Sequence, residues 1–236
     1  KLKKIDNVTD GILLAILVGL GFAATENVYY ARAVIYPSSG ELAMWYNLWF
    51  REIHTTLLHA SSTALWGLLI GYSYQLKGMQ RAFTLVNGFV LAVGAHGVWN
   101  FLGSFSREFA SESPLVDTAM RIEVFVLFTF LLLLFLASVK RESRVIVAEL
   151  FDEVQQGVIP ANHVEFFASL VRRSQRYGLP ESVTPKDYAR LGVRLALRKN
   201  RYRHHPSDKL LSEIENLRTR LRRVNVSSPD ASEYNV

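Results

Sequence analysis

The sequence predicts an all-α fold, a polytopic bundle of about four membrane-spanning helices followed by a soluble helical region. Three observations lead there. Residues 1–139 hold four apolar stretches, and a bilayer-crossing helix needs about 20 such residues. Nine Lys/Arg and nine Asp/Glu cancel within residues 1–139, while eighteen against twelve over residues 140–236 leave the whole net charge of +6 in the second part. Beyond Lys140, apolar residues recur at helical spacing between charges instead of in unbroken runs. The expected division is a transmembrane domain at 1–139, a basic cytosolic helical region at 140–226 and a disordered polar tail at 227–236.

The four spans run from about Gly11 to Tyr36, Ile53 to Tyr74, Ala82 to Phe105 and Thr118 to Val139. The fourth is the most apolar and ends at Lys140-Arg141. The others are rich in Gly, Ala, Ser and Thr, which let helices approach closely, and Gly67 with Gly71 reads as a packing motif. Basic residues orient the chain. Lys1, Lys3, Lys4, Lys77, Arg81, Lys140, Arg141 and Arg144 put the start, the 77–81 connection and the tail in the cytoplasm. The 37–52 and 106–117 loops then face out, where Arg51 and Arg107 are offset by Glu41, Glu52, Glu108, Glu112 and Asp117. Trp45, Tyr46, Trp49 and Phe50 read as an interfacial aromatic belt or a short surface helix.

In the second part, helices are expected near 143–156, 160–176, 184–199 and 207–224, punctuated by Gly157, Pro160, Gly178, Pro180, Pro185 and Pro206. Ser207-Asp208 is a cap for the last, whose Leu210, Ile214, Leu217, Leu221 and Val224 form a seam expected to pack within its own domain rather than across a dimer. A homo-oligomer stays open. Basic charge next to a membrane exit points to anionic inner-leaflet lipids as a partner and not to nucleic acid. His204-His205 reads as a solvated basic linker. The absence of cysteine excludes disulfides and thiolate metal sites.

Ionisable groups inside a span are costly and usually face the bundle interior or water. Glu26 and Asn27 in the first span, His59 in the second, and His96 with Asn100 in the third are the candidates. At 1.5 Å per residue, Glu26 and His96 lie roughly 22 and 21 Å from the inner ends of their spans, and His59 roughly 27 Å. All fall at similar depth in the outer half. His54 reads as interfacial. No Lys or Arg lies in the middle of a span, so Glu26 is expected to need a proton, a metal, water or the histidines.

These residues carry a resemblance. GLGFAATENVYY (19–30), Arg51 followed by HASSTALWG (59–67), and HGVWN (96–100) resemble the segments of the PrsW-type intramembrane proteases, distant relatives of the CAAX-processing and bacteriocin-immunity membrane proteases. The family pattern is EExxK, FAxxEN, a His eight residues before a Gly, and HxxxN or HxxxD. The last three occur in order here, Asp10-Gly11 also fits, and the match covers about residues 6–105. EExxK is absent and is expected upstream of Lys1. The resemblance implies an integral membrane peptidase of a bacterial cell membrane that hydrolyses peptide bonds of a membrane-anchored regulatory protein, with its tail cytoplasmic. It implies Glu26, Asn27, His59, His96 and Asn100 as the catalytic set, with a glutamate base upstream. A Zn²⁺ ion on His59 and His96 is the metal-dependent version, in which Glu26 and Asn27 are further ligands or hold the histidines from behind. The alternative is an inactive homologue or a non-enzymatic membrane protein whose polar residues bind an ion or a proton for transport or scaffolding.

Overall fold

The computed structural model describes residues 5, 7–109, 114–176, 179 and 183–226, without the side chains of 106–109, 117 and 226. Lys1, Lys3, Lys4, Glu112, Gly178, Pro180, the side chains of Arg107, Glu108 and Asp117, and the polar end from residue 227 therefore lie outside the described residues. The fold is all-α, with no strand among the described residues. Its elements are α1 (Val8–Tyr29), a π-helical turn (Tyr30–Ile35), α2 (Tyr36–Ser73), α3 (Gly78–Phe109), α4 (Pro114–Gln155), α5 (His163–Ala168), α6 (Pro185–His204) and α7 (Asp208–Val226). The chain divides into two compact units, Lys1–Ser138 and Val139–Val236.

Among the described residues, three helical stretches are long and apolar enough to cross a membrane, Val8–Ser73, Gly78–Phe105 and Pro114–Gln155. The first holds two of the expected spans, because it folds back on itself. α1 starts where the Asn7 side chain accepts the Asp10 amide at 2.7 Å, satisfying a backbone donor that the first turn leaves unpaired. The stretch expected as a loop at 37–52 is instead helical around one break. Pro37 fits the first turn of α2 because its missing N–H is not needed there. Gly40 then leaves the helix at φ 80°, ψ −177°, a conformation open to glycine.

Beyond Gly40 the two arms run antiparallel. Gly11 meets Gly67, Gly19 meets Thr63, and Asn27 meets Thr55, so every pairing is centred near residue 40. The arms touch backbone to backbone. A Cβ on Gly11 would lie 2.1 Å from the Gly67 carbonyl oxygen, and one on Gly67 would lie 2.3 Å from that of Gly11. Thr63 Oγ1 donates across the same seam to the Ala15 carbonyl at 2.9 Å. In hydrocarbon the hydrophobic effect between helices is absent, and close van der Waals packing with a few hydrogen bonds takes its place. Leu17, Val18, Phe89, Val90, Phe125 and Leu133 are accordingly exposed, the surface that lipid would cover.

A tight connection at 74–77, with the Gln75 and Leu76 amides bonded to the Tyr72 and Ser73 carbonyls at 3.0 Å, leads into α3. Inside this first unit, Ile12, Ala64 and Leu131 form one buried cluster and Leu58, Trp99 and Val124 another.

The second unit has its own core, with Ile146, Leu150, Phe166, Phe167, Tyr188, Leu195, Ile214 and Leu221 all buried. The seam of α7 packs into it, as expected for a helix within its own domain, and Ser207 Oγ accepts the Leu210 amide at its start. The helix expected at 160–176 is cut short. It stops at Ala168 because Ser169 is extended (φ −102°, ψ 121°), and Arg173 Nε donates to the Phe167 carbonyl at 2.8 Å. Two buried polar networks tie the helices together. Glu153, fully buried, accepts from Lys199 at 2.6 Å and from Arg218 Nη2 at 2.6 Å. His163 Nδ1 meets the Tyr188 hydroxyl at 2.8 Å, which donates to Asn225 Oδ1 at 2.8 Å, and Asn225 Nδ2 donates to the Val158 carbonyl at 2.7 Å. Burial pushes the Tyr188 hydroxyl well above its usual titration range, so it stays a donor.

Two stability outcomes follow. Gly11→Leu should cost about 2–3 kcal/mol or more through overpacking, seen as loss of folded, monodisperse protein in detergent, while Gly94→Ala, where an added Cβ meets nothing within 4 Å, should leave the yield unchanged. Glu153→Ala should destabilise the second unit by about 3–5 kcal/mol, because Lys199 and Arg218 lose a buried counter-charge; thermal unfolding followed by circular dichroism would read it.

Candidate functional site in the membrane unit

The register of the two arms decides what Glu26 and Asn27 face. Both sit in the last turn of α1, just before the π-helical turn. Opposite them, α2 carries Arg51, Thr55 and His59 at i, i+4 and i+8, a spacing that stacks side chains along one helix face. Glu26 Oε2 accepts from Arg51 Nη2 at 2.6 Å and faces His59 Nε2 at 2.9 Å. Asn27 is fully buried beside it. Its Oδ1 accepts from Arg51 Nε at 3.0 Å and from Thr55 Oγ1 at 2.9 Å, and its Nδ2 donates to Glu52 Oε1 at 3.3 Å and Thr56 Oγ1 at 3.4 Å. The Arg51 guanidinium also lies 4.1 Å from the centre of the Tyr30 ring, a cation–π contact that suits an arginine withdrawn from water.

Arg51 is a correction to the sequence reading, which placed it in an outer loop and left Glu26 without a cationic partner. Helix α2 begins well before the expected span, at Tyr36 rather than Ile53, and brings Arg51 alongside Glu26. The signal was present in the sequence: Arg51, Thr55 and His59 share one helical stripe once α2 is extended past Ile53.

α3 adds His96, whose ring centre is 4.7 Å from that of His59 at 30°. Phe22 closes the other side of His59, edge-on at 4.9 Å. Since Nε2 of His59 is engaged by a carboxylate, it carries the proton, and Nδ1 is left as an acceptor in the neutral ring. His96 Nδ1 is buried without a hydrogen-bond partner. Glu26, Asn27, His59 and His96 are thus brought together. Asn100 is not: it lies one turn from His96 and is exposed. His54 stands apart, stacked on Phe50 at 4.3 Å with Nδ1 3.1 Å from the Phe50 carbonyl.

Such a constellation can hold and polarise a small polar molecule. Arg51 neutralises Glu26, Glu26 fixes the orientation of His59, and the two imidazoles offer acceptor nitrogens side by side. The donor set is short of a catalytic zinc site. Among the described residues no three His, Cys, Asp or Glu side chains are grouped to hold a metal ion, whereas catalytic zinc takes three protein ligands. His59 and His96 supply two nitrogens, and Glu26 is already committed to Arg51 and His59.

No curated protein and no solved structure matches the chain. Residues 1–137, the whole of the membrane part, match the family described as PrsW family intramembrane metalloprotease. That stretch contains every residue of the Glu26–Arg51–His59–His96 cluster, and by it the chain belongs to the PrsW family of intramembrane proteases.

Proposed function

We propose that the chain hydrolyses a peptide bond of a membrane-anchored regulatory protein, with the cluster of Glu26, Asn27, His59 and His96 as the water-holding part of the site. The observation that carries this reading is the paired imidazoles, one oriented by a carboxylate that is itself neutralised by Arg51. A water bound to His59 Nδ1 and His96 is aimed at the scissile carbonyl carbon. His59 accepts its proton as the new C–O bond forms, and Glu26 stabilises the resulting imidazolium. The proton then passes to the leaving amine as the C–N bond breaks. Asn100, on the same face of α3 as His96, donates its amide to the carbonyl oxygen as charge develops there. Asn27 acts through Arg51 and Thr55, holding both in place. The zinc reading calls for a third ligand beyond His59 and His96.

The outer-half depth of the cluster suits cleavage near the outer face, with the tail in the cytoplasm. For the basic unit, anionic lipid is the proposed contact: Leu170 and Val171 are exposed next to Arg172, which is paired with Glu165, and exposed apolar side chains on a unit of net positive charge suit a head-group surface.

Comparison of new N-termini among membrane proteins in cells carrying the wild type or His96→Ala should reveal one or more single-span proteins cut only by the wild type. His59→Ala and His96→Ala should each lower that cut by at least about 100-fold while the protein remains folded in the membrane. Full activity in either variant would remove that histidine from the mechanism. Glu26→Gln with Arg51→Met should be more stable than Arg51→Met alone, since the single change leaves a buried carboxylate unpaired; additive effects on thermal unfolding would argue against the pairing. Purified active protein that holds no metal and ignores chelators would exclude the zinc version.

A further inference from the structure

One carboxylate of the membrane unit takes no part in the cluster described above. Glu123 lies on α4, ten residues into that helix. It flanks the inward stripe Met120, Val124, Leu127 and Leu131, spaced four, three and four residues apart, and lies three residues from Met120 and four from Leu127. Its neighbours on that stripe all pack inward: Val124 and Leu131 are buried, and Met120 and Leu127 join the cluster formed by Leu58, Trp99 and Val124. Leu58 precedes His59, and Trp99 precedes Asn100. α4 therefore packs Val124, the residue next to Glu123, against Leu58 and Trp99, the residues next to His59 and Asn100.

The carboxyl is poorly provided for. Its Oε2 is buried and has no hydrogen-bond partner, a condition shared among the described residues of this unit by His96 Nδ1 on α3 and by Ser62 Oγ and Asn47 Oδ1 on α2. An unpaired polar atom withdrawn from water costs about 1–3 kcal/mol, more when it carries charge. Glu123 Oε2, His96 Nδ1 and Ser62 Oγ, on three helices of this unit, are costly to leave unpaired unless something fills them. A substrate does. To be cut inside a bilayer, a helical segment must unwind, and each exposed backbone N–H and C=O then needs a partner in surroundings that offer none. A carboxylate accepts, an imidazole or hydroxyl can donate, and together they match an unwound peptide.

We propose that Glu123 is a substrate-binding residue of this site, its unpaired oxygen accepting a hydrogen bond from a backbone N–H of the substrate segment unwound beside α2, α3 and α4. The inference rests on the peptidase reading, and its test separates the two. The chain has no cysteine, so single thiols can be introduced without background. In full-length protein in lipid vesicles, Glu123→Cys should react with a charged thiosulfonate at least tenfold faster than Phe125→Cys, whose side chain is 66% exposed on the apolar surface. Equal or slower reaction would overturn the placement. With the single-span protein whose cleavage depends on His96 as substrate, Glu123→Leu should raise KM at least tenfold and leave kcat within threefold. Glu123→Gln, which keeps an acceptor oxygen, should restore most of the affinity. An unchanged KM in Glu123→Leu would overturn the binding role. Absence of any cleavage by the wild type would instead overturn the peptidase reading, and the labelling rates, which need no substrate, still decide where Glu123 faces.

Discussion

The membrane unit depends on the contact between the backbones of α1 and α2. Two helices normally stand 8–10 Å apart because side chains separate them. Here Gly11 and Gly67 remove that spacer, and a Cβ on either would lie within 2.3 Å of the other's carbonyl oxygen. The contact sets a register as well as a distance. With the fold-back at Gly40, it places Asn27 against Thr55 and, one residue earlier, Glu26 against Arg51 and His59. A slip of one residue along the seam would rotate the carboxylate off the histidine by about 100°. The polar cluster is thus a consequence of apolar geometry some 20 Å away along the helix, as 1.5 Å per residue makes it.

Electrostatics explains the composition of the cluster. A lone carboxylate in a span is expensive, and so is a lone guanidinium. Paired at 2.6 Å, with Asn27 holding the guanidinium's other edge and Tyr30 beneath it, they form a neutral assembly whose hydrogen-bonding capacity is largely used internally. What remains unspent points toward the histidines. His59 is held by one nitrogen and offers the other, and His96 stands beside it with Nδ1 unpaired. Two imidazoles next to a satisfied ion pair are suited to binding water in a low-dielectric setting, where each remaining hydrogen bond is strengthened.

The second unit solves the opposite problem. It sits in a basic sequence yet buries carboxylates, with Glu153 and Glu149 almost fully enclosed. Lys199 and Arg218 converge on Glu153, and Arg203 reaches Glu149 at 3.0 Å. Part of the positive charge that makes this half conspicuous in the sequence is therefore internal and structural. Net charge reports a long-range field; it does not say which cations are spoken for inside the fold.

By itself the sequence determined the class of the protein. Apolar run lengths answer to bilayer thickness, helical periodicity answers to the 3.6-residue turn, and both are local properties. The polar residues Glu26, Asn27, His59, His96 and Asn100 were legible for the same reason: each is conspicuous against its own apolar span. The tertiary structure decided which of them meet. It joined Glu26, Asn27, His59 and His96, left Asn100 and His54 outside the hydrogen-bonded cluster, and recruited Arg51. It also exposed Glu123 as a carboxylate flanking an inward stripe. Pairings between residues 25 or 33 positions apart depend on where the chain turns back and how closely the backbones approach. Those are set by Gly40 and by the Gly11–Gly67 contact, at which the sequence shows only the absence of a side chain.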